Sequence, residues 1–147
     1  MRIELLRADI SSIKVDAIVD ASPKQHVDGV GNVPVGSAVI TPGGNLLCKF
    51  VIHAIGPRPG DKDGESKLRS ATLSALERAE ELAIGSVAFS SSRKGIFGFP
   101  SHRCAEIMIG AAVEFRQRVR SLQRVVFCLF GAESYADFER VLRELDK

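Results

Sequence analysis

Ser86-Val87-Ala88-Phe89-Ser90-Ser91-Ser92-Arg93-Lys94-Gly95-Ile96-Phe97-Gly98-Phe99-Pro100 runs from a strand through a glycine-bearing turn into the start of a helix. Ser86 to Phe89 is an apolar run, and a helical pattern leaves Pro100. Between them, Gly95 and Gly98 are separated by Ile96 and Phe97. Glycine admits positive φ and close approach of the backbone, so successive N–H groups can face one concavity. A helix beginning near Pro100 would add its free N–H groups and the positive end of its dipole. Such a turn suits an anion. The same residues also describe a plain strand-to-helix connection, because short glycine motifs are not specific.

Downstream, Ala105, Ile107, Met108, Ala111, Ala112 and Phe115 predict a helix with a broad apolar face, leaving through Arg116, Arg118 and Arg120. Those cations suit a helix C-terminus; a nucleic-acid patch is the alternative. Arg124 leads into a strand, Val125 to Phe130, stopped by Gly131, and Ser134 is the expected N-cap of a closing helix through Leu145. Upstream, Leu68, Ala71, Leu73, Ala75, Leu76, Ala79 and Leu82 recur at helical spacing, with Gly85 as the expected C-cap.

Phe50 to Ile55 and Ser37 to Thr41 read as strands flanking the turn Pro42-Gly43-Gly44-Asn45, forming a hairpin. Lys24 to Gly36, with Gly29, Gly31, Pro34 and Gly36, reads as a long loop. Val15 to Ala21 has the unbroken apolar and β-branched character of a strand covered on both faces, and stops at Ser22-Pro23. A first strand begins near Ile3 and ends at Ala8-Asp9-Ile10. Strands alternating with helices, plus one hairpin, make an α/β sandwich with a mixed central sheet, in one domain spanning residues 1–147. In open sheets of this kind ligands bind beyond the carboxyl ends of the strands. Asp9, Asp20 to Pro23, Ser90 to Gly98 and Phe130 all lie at such ends, and meet if their strands are parallel and adjacent.

A net charge of +2 with 26% charged residues is a balanced surface, not the basic footprint of a dedicated duplex-DNA binder. Cys48, Cys104 and Cys128 show no C-x-x-C spacing and make no metal pattern with His26, His53 and His102, so buried thiols in a reducing, cytoplasmic compartment are expected, with no metal and no cofactor. Charges interrupt the apolar N-terminus, and no stretch reaches membrane-spanning length.

With these positions assembled, the chain resembles the macrodomain family. Ala8-Asp9-Ile10 is similar to its first-strand Gly-Asp-Ile, and Val15-Asp16-Ala17-Ile18-Val19-Asp20-Ala21 to its Val-Asp-Ala-Ile-Val-Asn-Ala. Thr41-Pro42-Gly43-Gly44-Asn45-Leu46 and Val51-Ile52-His53-Ala54-Ile55-Gly56-Pro57 are similar to Thr-x-Gly-x-Asn-Leu and Val-Ile-His-x-Val-Gly-Pro. Gly95-Ile96-Phe97-Gly98-Phe99-Pro100 matches the second phosphate loop, and Leu129-Phe130-Gly131 with Tyr135 and Phe138 resembles the C-terminal signature. The shared order of these segments carries the resemblance.

The resemblance implies a three-layer α/β/α sandwich that binds ADP-ribose or a related adenine nucleotide. It implies that Asp9 accepts from the adenine amino group, with a surface or capping aspartate as the other reading, and that Ile10 lies beside the base with Phe130 stacked on it. A core position is the other reading of Phe130. Gly95, Ile96, Phe97 and Gly98 would wrap the diphosphate, and Ala21 and Ser22 would flank the ligand. Arg93 and Lys94 stand where the family has small residues; they could bond a phosphate or project to solvent. His53 is expected to be a packed, hydrogen-bonded core histidine.

The chain also departs from the family. Asp20-Ala21-Ser22-Pro23 replaces Asn-Ala-Ala-Asn, so Pro23 stands where hydrolytic members hold the distal ribose with an asparagine. The first glycine loop is shortened and the helix after it is absent, leaving His26-Val27-Asp28-Gly29-Val30-Gly31 before Gly36. Asp28 either stands at the place of the hydrolytic branches' water-activating aspartate or is an Asp-Gly turn residue. Nucleotide binding is therefore the expected function. An ADP-ribosyl or O-acetyl-ADP-ribose hydrolase using Asp28 is one alternative. A degenerate module binding RNA or a protein partner through Arg93, Lys94 and the Arg116-to-Arg124 cluster is another. A homodimer covering an apolar patch left by the shortened loop is a further expectation.

Overall fold

The computed structural model describes residues 1–8, 10–91 and 96–146. Asp9, Ser92, Arg93, Lys94, Gly95 and Lys147 lie outside the described residues. In chain order the elements are β1 (Arg2–Leu6), β2 (Ala17–Ser22), β3 (His26–Val27), β4 (Gly31–Asn32), β5 (Ala38–Pro42), β6 (Phe50–Ile55), α1 (Gly64–Glu81), β7 (Ser86–Phe89), α2 (Ser101–Phe115), β8 (Arg124–Cys128) and α3 (Ala132–Leu145). Short 3-10 turns occupy Ile10–Ser12, Ile96–Gly98 and Arg116–Arg118.

Six strands form one sheet in the order β1-β8-β7-β2-β6-β5, with every neighbouring pair parallel except the β6/β5 hairpin at one edge. The expected mixed sheet is therefore present, with its three helices packed on one face. The long loop between β2 and β5 contains no helix, only the small β3/β4 ladder.

Side-chain alternation assigns the two faces. Ile3, Val19, Ile52, Val87, Phe89, Val125 and Phe127 point toward α1, α2 and α3 in the main core. Ile18, Ala88, Val126 and Cys128 point the other way, where Ile13, Val15 and Cys48 cover them. On the helical face Phe127 stacks on Phe89 at 5.1 Å between ring centroids and meets Phe138 of α3 at 5.6 Å. In α1, Leu68, Ala71, Ala75, Leu76 and Ala79 form the buried stripe, and the alanines let the helix approach closely. All three cysteines are free and buried. Among the described residues, no helix is long and apolar enough to cross a membrane.

Several element ends differ from the sequence expectation: β2 starts at Ala17 instead of Val15, and β8 ends at Cys128 instead of Phe130. Gly85 does not cap α1: the cap is Leu82, and Ala83 takes the left-handed position at φ 55°. Ala83 N–H donates to the Glu80 carbonyl and Ile84 N–H to that of Ala79, closing a Schellman turn on alanine. Ser134 does not cap α3, whose N-cap is Gly131 without a side-chain bond. β1 stops at Leu6, so Ile10 opens a 3-10 turn instead of ending a strand.

Gly85 has another task. Its N–H and that of Ser86 donate to the Asp16 carboxylate, at 2.9 and 3.2 Å, and the Asp16 N–H donates to Ser86 Oγ at 2.9 Å. The Asp16 carbonyl accepts from Lys49 and Phe50. One residue thus ties together the starts of β2, β6 and β7.

Candidate functional site

Because β1, β8, β7, β2 and β6 are mutually parallel, their carboxyl ends share one edge of the sheet. The segments that leave β1, β8, β7 and β2 are neighbours there. This is the adjacency that lets residues far apart in sequence meet.

A cavity of about 640 Å³ opens on this edge, lined by Arg7, Ala8, Ile10, Ser91, Cys128, Leu129 and Phe130. Leu129 N–H donates to the Leu6 carbonyl, so the β1/β8 pairing continues past the strand end. Phe130 N–H then donates to Ser91 Oγ at 3.0 Å. Leu129 is buried, whereas Phe130 is 58% exposed, which removes the reading of this ring as core. Its backbone is fixed beside a cavity that Ile10 and Cys128 also line. An aromatic face presented this way can stack on a planar ligand.

The glycine turn begins where Ser90 donates both its N–H and its Oγ to the Val19 carbonyl. Gly95 and Lys94 lie outside the described residues. The chain continues at Ile96 and Phe97, both buried, with Phe97 at φ 60°, ψ 5° and Gly98 at φ 73°. A left-handed conformation costs a non-glycine residue about 1–2 kcal/mol, so packing must hold Phe97 there. Its ring lies against Gly56, where an added Cβ would stand 2.2 Å from Phe97 Cδ1. The side chains of Ile96 and Phe97 are thus anchors that position the backbone of the turn. α2 starts directly afterwards at Ser101, behind Pro100, with no side-chain cap on its N-terminus.

The remaining sequence-implied residues fall elsewhere on the edge. Ala21 packs on the main core. Ser22 accepts from Lys24 N–H through Oγ at 3.0 Å and from Gly56 N–H through its carbonyl at 3.0 Å. Ser22 lines a second cavity, of about 310 Å³, together with Asp20, Lys24, His26, Asp28, Thr41 and His53. The structure thus groups Ile10 with Phe130 and, separately, Ser22 with Asp28. Asp28 sits in the β3/β4 turn with a fully exposed carboxylate, 3.5 Å from His26 Nε2.

His53 departs from its expected place in the core. It is hydrogen-bonded, with Nε2 2.8 Å from Thr41 Oγ1, but 22% of its side chain is exposed and lines the second cavity. The β3/β4 ladder is too small to cover this face. Sequence reasoning also missed Arg7, Ser91 as the support of Phe130, and Thr41. Only Ser91 carried a signal, as a hydroxyl at a strand end.

Burial pushes the Cys128 thiol up to about 11, with Arg124 opposing it, and that of Cys104 up to about 12. Of the basic cluster, Arg116 forks onto Asp146 at 2.6 and 3.1 Å and also donates to the Met1 carbonyl. Arg118 lies over the Phe115 ring at 4.8 Å.

The macro domain family model matches residues 16–108. An uncharacterized protein of Saccharolobus solfataricus is 34% identical over 172 aligned positions, which cover all of this chain and 96% of that protein. With 147 residues in the chain, the alignment carries gaps on this side. An O-acetyl-ADP-ribose deacetylase of Escherichia fergusonii is 30% identical, covering 97% of this chain and 96% of the enzyme. The solved Oceanobacillus iheyensis macrodomain with ADP superposes with a TM-score of 0.86 over 98% of this chain and 91% of its own, at 23% identity, and so shares the fold. Family model, relatives and fold agree: the chain belongs to the macrodomain family, known for binding ADP-ribose.

Proposed function

We propose that the protein binds ADP-ribose or a related adenine nucleotide along the carboxyl edge of its parallel strands. Adenine occupies the cavity between Ile10 and Phe130, with Asp9 accepting from its amino group. The diphosphate lies on the turn Gly95-Ile96-Phe97-Gly98 and the start of α2, beside Lys94, with Ala21 and Ser22 flanking the far end. The observation that carries this reading is Phe130, exposed at the rim of the larger cavity and held there by Ser91. An aromatic side chain more than half exposed beside a cavity can stack on a planar base.

Binding is favoured over hydrolysis. Pro23 offers no side-chain donor, and the fully exposed Asp28 carboxylate lines the other cavity. The hydrolytic alternative is supported by the relative named as an O-acetyl-ADP-ribose deacetylase, and Asp28→Ala tests it: turnover that survives this substitution excludes Asp28 as base.

Calorimetric titration with ADP-ribose, ADP and AMP tests binding. Stacking on an aromatic ring contributes about 1–3 kcal/mol, so Phe130→Ala weakens affinity roughly tenfold or more. Gly95→Glu brings a negative charge to the diphosphate and weakens ADP-ribose and ADP more than AMP. No heat with any of the three ligands refutes the proposal, and unchanged binding by Phe130→Ala removes the adenine end from it.

A further inference from the structure

All three helices pack on one face of the sheet, and the opposite face is covered only in part. Ile13, Val15 and Cys48 close it over β2, β7 and β8, whereas the β5/β6 share has only the small β3/β4 ladder, above its carboxyl end. Five large apolar side chains are exposed among the described residues: Val30, Leu46, Leu47, Phe130 and Leu145. Phe130 belongs to the proposed adenine cavity and Leu145 ends α3. The other three frame the helix-free face, with Val30 on the β3/β4 turn at its top and Leu46 and Leu47 on the β5/β6 turn at its foot. Leu47 is 75% exposed on a braced turn. Gly43 N–H donates to the Lys49 carbonyl, Leu46 N–H to that of Gly43, and Lys49 N–H to that of Asp16.

Charge is divided along the strands. At the foot, Leu47 shares a recess with Lys14 and Lys49, both exposed and neither in an ion pair among the described residues. The Asp16 carboxylate beside them is turned onto the N–H groups of Gly85 and Ser86. At the top, the second cavity carries the Asp20 and Asp28 carboxylates, with Lys24 the one lysine among its described lining residues, and Val27 and Ile55 supply apolar wall. One end is therefore an apolar knob between cations, and the other a hollow edged by carboxylates.

We propose that this face is a two-fold interface between two copies of the chain, with the Leu46-Leu47 tip of each copy seated in the second cavity of the other and Lys49 opposite Asp28. The interface goes beyond nucleotide binding and does not depend on it. The charges choose the axis. A two-fold axis along the strands sets Lys14 and Lys49 of the two copies against each other; one running across the strands brings each cationic foot to the other copy's acidic top. About the level of Val51, that reversal carries Lys49 to the height of His53 and Leu47 to that of Ile55, and both His53 and Ile55 line the second cavity. A cavity of about 310 Å³ has room for a leucine side chain. Three strands about 4.8 Å apart and six residues at about 3.3 Å each make a face of roughly 15 by 20 Å, so two copies bury on the order of 1,000 Å² in total. That is the low end of specific interfaces, which makes the dimer a micromolar one.

Sedimentation of the full chain across the micromolar range tests the interface, and the expected result is monomer giving way to dimer. Leu47→Ser weakens association about tenfold or more and, because Leu47 is exposed in the single chain, leaves the melting temperature of dilute protein unchanged. Lys49→Glu and Asp28→Lys each weaken association through a like-charge contact made twice. An equimolar mixture of these two variants recovers it, since both contacts of the mixed pair then join opposite charges; damage to the fold of either variant produces no such recovery. A chain that stays monomeric at every concentration leaves the face to a different partner and overturns the proposal. A dimer that Leu47→Ser leaves intact, or a mixture of the charge variants that associates no more tightly than its components, overturns it as well.

Discussion

Gly56→Ala should lower both the stability of the protein and its affinity for the proposed nucleotide. The new Cβ would stand 2.2, 2.6 and 2.8 Å from Phe97 Cδ1, Cε1 and Cγ. Carbon atoms need about 3.5 Å, so the ring must retreat by roughly 1 Å or more. Phe97 is 3% exposed, and its ring has no empty space to enter without disturbing neighbours. Overpacking of this kind costs about 1–3 kcal/mol. For a chain of this size that lowers the melting temperature by about 3–10 °C.

The ring also packs beside the left-handed backbone at Phe97, so its movement shifts the turn on which we propose the diphosphate lies. A loss of about 1.4 kcal/mol there weakens ADP-ribose tenfold. Thermal melts and calorimetry on Gly56→Ala read both effects. Gly85→Ala is the control, because its nearest neighbour would be an Asp16 oxygen at an ordinary 3.7 Å. Phe97→Leu should recover part of the loss in the Gly56→Ala background, a non-additivity diagnostic of direct contact. Wild-type melting and affinity in Gly56→Ala, or strict additivity of the two substitutions, refutes the coupling.

Gly110→Ala should stabilise the protein by about 0.5–1 kcal/mol, since the glycine lies inside α2 and an added Cβ meets nothing within 4 Å; a lowered melting temperature contradicts this. The Glu80 carboxylate accepts backbone N–H groups from Leu122, Arg120 and Ser121. Burial pushes its proton affinity up, but these donors and the Arg120 charge outweigh it and hold the carboxyl below its ordinary 4.5. A lowered folded value stabilises above the unfolded value, and the contribution fades as pH falls through the folded one. The melting difference between wild type and Glu80→Gln should therefore be full at neutral pH and shrink in acid; a difference that grows in acid reverses the assignment. Cys104 and Cys128, with thiols at about 12 and about 11, should resist alkylation at neutral pH until the protein unfolds, and rapid labelling of either in the folded state contradicts their burial.

Much of the architecture is written locally. Phe50–Ile55 and Ser86–Phe89 end where their composition changes, and the turn between β5 and β6 announces its hairpin. The convergence of strand ends was legible as a condition, parallel and adjacent strands, which the order β1-β8-β7-β2 satisfies. Other features depend on partners distant in sequence. Gly85 looks like a helix cap by its position after α1, but the carboxylate of Asp16 recruits its N–H and alanine accepts the left-handed site instead. Phe130 and Leu129 are equally apolar in sequence; only the geometry beyond β8 buries one and exposes the other. His53 sits in an apolar strand, yet the absence of a helix above it gives it access to solvent.

Asp16 lies at the end of the sheet opposite its carboxyl edge, roughly 15–20 Å away at 3.3 Å per strand residue. In parallel strands an offset at the start is carried undiminished to the finish, and a slip of one residue also exchanges the two faces. By fixing β2, β6 and β7 to one origin, Asp16 sets the zero from which the heights of Ser22, Gly56 and Ser90 are measured. The spacing of the carboxyl edge is in this sense calibrated from the far end of the molecule.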